Sequence, residues 1–269
     1  MNLRAVLLAA ACTTVLLGSA RASDVEDWIN DCKGEPGPET LAACNRAIGS
    51  GQLDTPLLVR LLTDRAESFV HEKQFKSAIA DSDRALALAP GDPDAMFVRA
   101  RALGDTRRTA EALAAFDRLI ALKPGIYFFY ESRAIAAADG HRYDVALADF
   151  DHALALAPGM PKPFLERAYL LLTMSRFDLA VAAFGEAITR WPQNPNFCTA
   201  RGLAYLQWKG GPPDRLALAR SDFDSALSLA PDNVDVLLLR AEVETQQGDA
   251  AAAAVDRRRA NRVGPVPPK

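Results

Sequence analysis

This chain has little histidine, few aromatic residues, no excess of basic charge and few runs of β-branched residues. Its three histidines are His71, His141 and His152, and no two stand four residues apart as a helical metal pair would need. No phosphate-cradling glycine loop and no nucleophile elbow occur. Carboxylates are plentiful but spread along what read as solvated helix faces. The sequence therefore offers no cofactor site, no metal site and no catalytic constellation. Aromatics make up 7% of residues, with only Trp28, Trp191 and Trp208 as tryptophans, a thin supply for a sugar-binding platform. A net charge of −3 leaves no electrostatic footprint for nucleic acid or for an anionic membrane. Past residue 22 no apolar stretch reaches the roughly 20 residues of a membrane span. With strand-forming runs scarce and alanine abundant, the expectation is all-α.

The first 22 residues are of a different kind. Arg4 supplies an early positive charge, an apolar run extends from Ala5 to Leu17, and Gly18, Ser19 and Ala20 follow. Ala20-Arg21-Ala22 is a small-x-small cleavage pattern, so residues 1–22 read as a secretory signal peptide and Ser23 as the mature start. An uncleaved anchor is the alternative. Cys12 lies inside the apolar run, which excludes a lipobox. Cleavage removes Arg4 and Arg21 and leaves 29 basic against 34 acidic residues, a net charge of −5. The expected location is outside the cytoplasm, in a bacterial periplasm.

The remainder is repetitive. Ala-Leu-Ala-Leu-Ala-Pro stands at 85–90 and at 153–158, with Ala-Leu-Ser-Leu-Ala-Pro at 226–231. Pro90, Pro124, Pro158 and Pro192 are 34 residues apart, Pro231 follows after 39, and Pro265 after another 34. Proline cannot continue a helix ladder, so each marks the stop of a helix. Asp92-Pro93 and Asn194-Pro195 read as an N-cap followed by proline at the first helical position.

With each proline placed at position 32 of its repeat, the register holds at other sites. Position 8 is Ala66, Ala100, Ala134, Ala168, Gly202 and Ala241. Position 20 is alanine six times: Ala78, Ala112, Ala146, Ala180, Ala219 and Ala253. Position 24 is Ser82, then Phe116, Phe150, Phe184 and Phe223, then Arg257. A 34-residue period with small residues at these sites and an aromatic at position 24 resembles the tetratricopeptide repeat (TPR) family over residues 59–265.

The resemblance implies a right-handed α-solenoid of stacked antiparallel helix pairs, each repeat burying apolar faces that one pair cannot bury alone. Six repeats are expected at 59–92, 93–126, 127–160, 161–194, 195–233 and 234–265, with a tail at 266–269. Repeat 5 carries five extra residues around Lys209–Pro213, between its two helices. Residues 23–50 read as an atypical leading hairpin, in which Ser23-Asp24-Val25-Glu26 fits a capping box. Polar Arg257 and Asn261, the latter at a position that is apolar in every earlier repeat, mark the end of the array.

Cys32 and Cys44 fall on the two helices of that hairpin, and an oxidising compartment favours their pairing. The closed loop would be worth about 3 kcal/mol. Two buried free thiols are the alternative. Cys198, at an apolar position, reads as a small buried hydrophobe.

The resemblance also implies function. TPR proteins hold other proteins or peptides on the concave face lined by helix-A positions 2, 5, 9, 12 and 13. Here that face would include Phe97, Phe128, Leu165, Tyr169, Leu172, Leu203 and Leu206. The lysine and asparagine residues of the chaperone-type carboxylate clamp are missing, so no chaperone tail is implied. The expected role is a non-catalytic exported adaptor for an unidentified protein or peptide. A solenoid enzyme or an envelope-glycan-binding domain is the alternative.

One charge recurs in every repeat. Position 7 is Arg65, Arg99, Arg133, Arg167, Arg201 and Arg240, and position 23 is aspartate in four repeats, Asp81, Asp149, Asp222 and Asp256. Position 25 adds Asp83, Asp117, Asp151 and Asp224. Two readings stand: a structural Arg–Asp ladder, or a row of guanidinium groups that grips an acidic ligand.

Overall fold

The computed structural model describes residues 21–264, and the signal-peptide and tail expectations lie almost wholly outside them. Fourteen α-helices and no strands occur among the described residues. They fall into two compact units that divide between Val98 and Arg99.

The first unit contains α1 (Ala22–Cys32), α2 (Pro38–Gly49), α3 (Thr55–His71), α4 (Phe75–Leu88) and the start of α5 (Pro93–Asp105). Neighbouring helices pack in sequence order, α1 on α2, α2 on α3 and α3 on α4. Helix α1 starts at Ala22, one residue ahead of Ser23, with Arg21 at the cap and no side-chain cap bond. The expected capping box is therefore not formed: Ser23 already lies within the first turn. Cys32 and Cys44 form a disulfide across α1 and α2, with Cα atoms 4.7 Å apart. The surrounding core is small, with Ala43, Ala47 and Leu61 buried beside it and Trp28 and Ile29 leaning on its edge. A covalent tie has most to add where so little apolar surface is buried.

The second unit continues α5 and contains α6 (Thr109–Leu122), α7 (Tyr127–Asp139), α8 (Tyr143–Leu156), α9 (Pro161–Thr173), α10 (Phe177–Arg190), α11 (Pro195–Gln207), α12 (Arg215–Leu229), α13 (Val234–Gln246) and α14 (Ala250–Val263). From α6 onward each helix again packs on its successor, and α7, α9, α11 and α13 touch in turn. Each unit is thus a run of stacked helix pairs, the α-solenoid architecture.

The core explains the residue pattern. Phe116, Phe150, Phe184 and Phe223 are among the largest fully buried side chains. Each needs a small residue opposite it. A methyl group on Gly202 would lie 2.7 Å from the Phe223 ring, so this helix crossing admits no side chain at all. Ala168, Ala180, Ala187, Ala200 and Ala204 surround Phe184 and Phe197 in the same way.

Helix starts and turns are specified locally. Asp92 accepts from the Ala95 amide at 2.8 Å, Asn194 from Asn196 at 3.1 Å and Asn233 from Val236 at 3.2 Å. Between the helices of four successive pairs the chain turns through a left-handed residue: Lys73, Arg107, His141 and Ser175. Gly248 does the same between α13 and α14. Between α11 and α12 the segment Trp208–Asp214 replaces that turn, with Trp208 stacked on Phe177 at 6.1 Å and packed over Gly211.

Candidate functional site

Two sets of side chains stand out, one on the first helices of the pairs and one reaching between the second helices.

Helices α7 and α9 are adjacent first helices of the second unit. On them Phe128 is 40% exposed and Tyr169 is 36% exposed, both large for a solvated position. Phe128 meets Phe129 edge-on at 4.6 Å, and Tyr169 meets the buried Phe184 edge-on at 5.7 Å. Each ring thus touches an aromatic neighbour and still keeps more than a third of its surface exposed. Beside Tyr169 lies a hollow of about 190 Å³ lined by Ile135, Asp139, Tyr143, Glu166 and Thr173.

Its charge is mostly negative. Burial pushes the Glu166 carboxyl up, Lys162 opposes the shift, and Glu131 and Asp139 add to it. Glu131 is itself buried, and its Oε1 has only the Lys162 ammonium, 2.6 Å away, as an ionic partner without hydrogen-bond geometry. These carboxylates are packed closer than their charges favour.

Other residues expected on this face are placed differently. Leu165 is half-buried and packs on the α9–α10 core, while Leu172 belongs to that core and presents no open surface. The expectation for Leu172 is corrected: its side chain is buried in the core that α9 shares with α10 and α11. Leu203 and Leu206 are half-buried, Leu206 against the α11–α12 core. Phe97 is half-buried in the first unit.

The recurrent arginines reach the other way, to the second helices. Arg65 grips Asp81 through Nε at 2.6 Å and Nη2 at 2.8 Å, and its Nη1 donates to Asn45 at 2.8 Å. Arg133 grips Asp149 at 2.7 and 2.6 Å, and Nη1 donates to Asp117. Arg240 repeats the pattern with Asp256 at 2.6 and 2.8 Å and with Asp224 at 2.6 Å. Each fork thus takes one carboxylate from its own helix pair and one polar group from the preceding pair. Arg201 holds Asp222 at 2.9 and 2.7 Å, and Arg167 holds Asp151 through Nε at 2.7 Å. These bonds push the guanidinium pKa of Arg133, Arg201 and Arg240 above the ordinary value. Asp81, Asp149, Asp222 and Asp256 are buried, so the arginines neutralise charges that water does not reach. Arg99 also has interaction partners.

Cys198 is buried and unpaired, and burial pushes its thiol up, away from reactive thiolate. His152 stacks on Tyr130 at 5.5 Å. Among the described residues no group of three or more His, Cys, Asp or Glu side chains is placed to hold a metal ion. No described helix is long and apolar enough to cross a membrane.

A family model, Tetratricopeptide repeat, matches residues 63–126, 97–161, 165–208 and 214–260. The chain belongs to the tetratricopeptide repeat family, whose fold is a scaffold for protein–protein interaction and is generally non-catalytic. Among solved structures it is similar to a tetratricopeptide repeat protein from Parabacteroides merdae ATCC 43184. That match has a TM-score of 0.67 at 19% identity and covers 91% of this chain and 95% of the other. It is also similar to PilW, a type IV pilus biogenesis factor, with a TM-score of 0.59, 22% identity, and 74% and 90% of the two chains covered. A third is MamA from Desulfovibrio magneticus RS-1, with a TM-score of 0.53, 17% identity, and 64% and 94% covered. No curated protein sequence matches it. At these identities the likeness shows the fold.

Proposed function

We propose that this protein is a non-catalytic, exported adaptor that holds a cationic segment of another protein on the α7–α9 face. The observation that carries this reading is the pairing of two open aromatic rings with crowded carboxylates. Phe128 and Tyr169 offer apolar area that the fold leaves wet. Asp139 and Glu166 line the hollow beside Tyr169, Glu131 is close enough to raise the Glu166 carboxyl, and Lys162 is the near counter-charge. An apolar residue followed by lysine or arginine satisfies both: the first covers a ring, the second neutralises a carboxylate. Anchors of this kind carry most of an interface's affinity.

Export is supported by the Cys32–Cys44 disulfide and by the signal-like first 22 residues, and a bacterial periplasm fits both. A displayed library of random peptides, selected on the oxidised protein, tests the binding reading. Enriched peptides should pair large apolar residues with basic ones and should fail on Tyr169→Ala. Enrichment of acidic peptides, or binding indifferent to Tyr169, contradicts it.

A further inference from the structure

The arginine ladder is thinnest at a single helix: α6 lacks one acid, with alanine at 115, but α10 alone among the second helices of the six repeats lacks both. In the rungs of Arg133 and Arg240, Nε and Nη2 take the aspartate of the same helix pair and Nη1 takes the aspartate of the preceding pair. Helix α10 supplies neither acid: alanine stands at 183 and glycine at 185, where α8 carries Asp149 and Asp151 and α12 carries Asp222 and Asp224.

The two arginines that flank α10 are left with donors unused. Arg167 turns its Nε to Asp151, and neither of its Nη nitrogens has an acceptor among the described residues. Arg201 commits Nε and Nη2 to Asp222, and its Nη1 has no acceptor among the described residues. That nitrogen lies 3.5 Å from where a side chain would begin on Gly185, the direction from which Asp224 reaches Arg240. Glu186, next along α10, is engaged by Arg190 at 2.6 Å. Exposure follows the same division. The Arg167 and Arg201 side chains are 31% and 29% exposed, against 13%, 19% and 20% for Arg65, Arg133 and Arg240.

We propose that Arg167 and Arg201, with the bare surface of α10 at Ala183 and Gly185 between them, form a carboxylate-binding site for an acidic segment of a partner protein. The fold itself points to a carboxylate. At every complete rung the groups that meet these donors include an aspartate carboxylate, held by a guanidinium fork at hydrogen-bond distance. A partner aspartate or glutamate laid across α10 would complete the ladder from outside. Small residues at 183 and 185 give it room to approach. This site uses α10 and the arginines flanking it and is independent of the α7–α9 face.

The test follows the arginine Nε–H resonances of the full-length oxidised protein by NMR during titration with a hexaglutamate peptide and, separately, with inorganic phosphate. The peptide should move the Arg167 and Arg201 signals saturably and leave those of Arg133 and Arg240 in place. Ala183→Asp with Gly185→Asp fills the site from within and should weaken the peptide by about ten-fold or more. Gly185→Asp alone serves if the double variant loses its fold. The proposal is overturned by no movement at Arg167 or Arg201, by equal movement at Arg133, or by undiminished binding in the aspartate variant. Phosphate saturating the same signals at lower concentration than the peptide overturns the assignment to an acidic segment.

Discussion

Arg133 and Arg167 occupy the same position in consecutive helix pairs, yet the structure gives them different work. Arg133 is closed in by Asp149 on one side and Asp117 on the other, and it neutralises a carboxylate that is almost fully buried. Arg167 has only Asp151, which is largely exposed, and its own helix pair carries alanine at 183 where that of Arg133 carries Asp149. A repeated residue is thus no guide to a repeated role. What decides is whether the acids on the two neighbouring second helices are present.

The difference can be broken by mutation. Arg133→Leu strands Asp149 in the interior and should cost about 3 kcal/mol in chemical denaturation, the usual penalty for breaking a buried pair from one side. Arg167→Leu removes a partner only from exposed Asp151 and should cost about 1 kcal/mol or less. Equal losses would mean that both arginines do the same structural work. In the opposite direction, Ala183→Asp with Gly185→Asp gives α10 the acids of its neighbours and removes a helix-interior glycine. Stability should rise by up to about 1 kcal/mol, read as a higher denaturation midpoint. A fall would show that the flanking arginines are not poised as the other rungs are.

Much of this was legible because the 34-residue period aligns like with like. The small residues at positions 8 and 20 and the buried phenylalanines at position 24 follow from the repeat alone. So does the meeting of arginine with aspartate, since both recur in register. Which arginine lacks a second acid is also written in the sequence, in Ala183 and Gly185. It signifies only once the structure shows that each fork spans two successive second helices. The exposed face was less legible. Leu172 and Tyr169 lie three residues apart on one apolar helix, and pattern alone places both on the open side. The packing puts Leu172 in the α9–α10 core and leaves Tyr169 open. In a solenoid each first helix has two buried flanks as well as an exposed stripe, so apolar character does not identify the stripe. The carboxylate crowding at Glu131, Asp139 and Glu166 is likewise invisible until α7 and α9 are set side by side. At the N-terminus, Ser23 and Glu26 have capping-box spacing, yet the helix begins one residue earlier.

The α7–α9 face is the surface on which a partner is expected to dock. Calorimetric titration of a library-selected basic peptide against the wild type and the Phe128→Ala/Tyr169→Ala variant tests it most directly. Melting temperature serves as a check that the variant stays folded. Loss of the two rings should raise Kd by about 30-fold, the equivalent of roughly 2 kcal/mol for central anchors, and the wild-type affinity should fall with added salt. An unchanged Kd in a folded variant would contradict the account and move the docking surface elsewhere on the molecule.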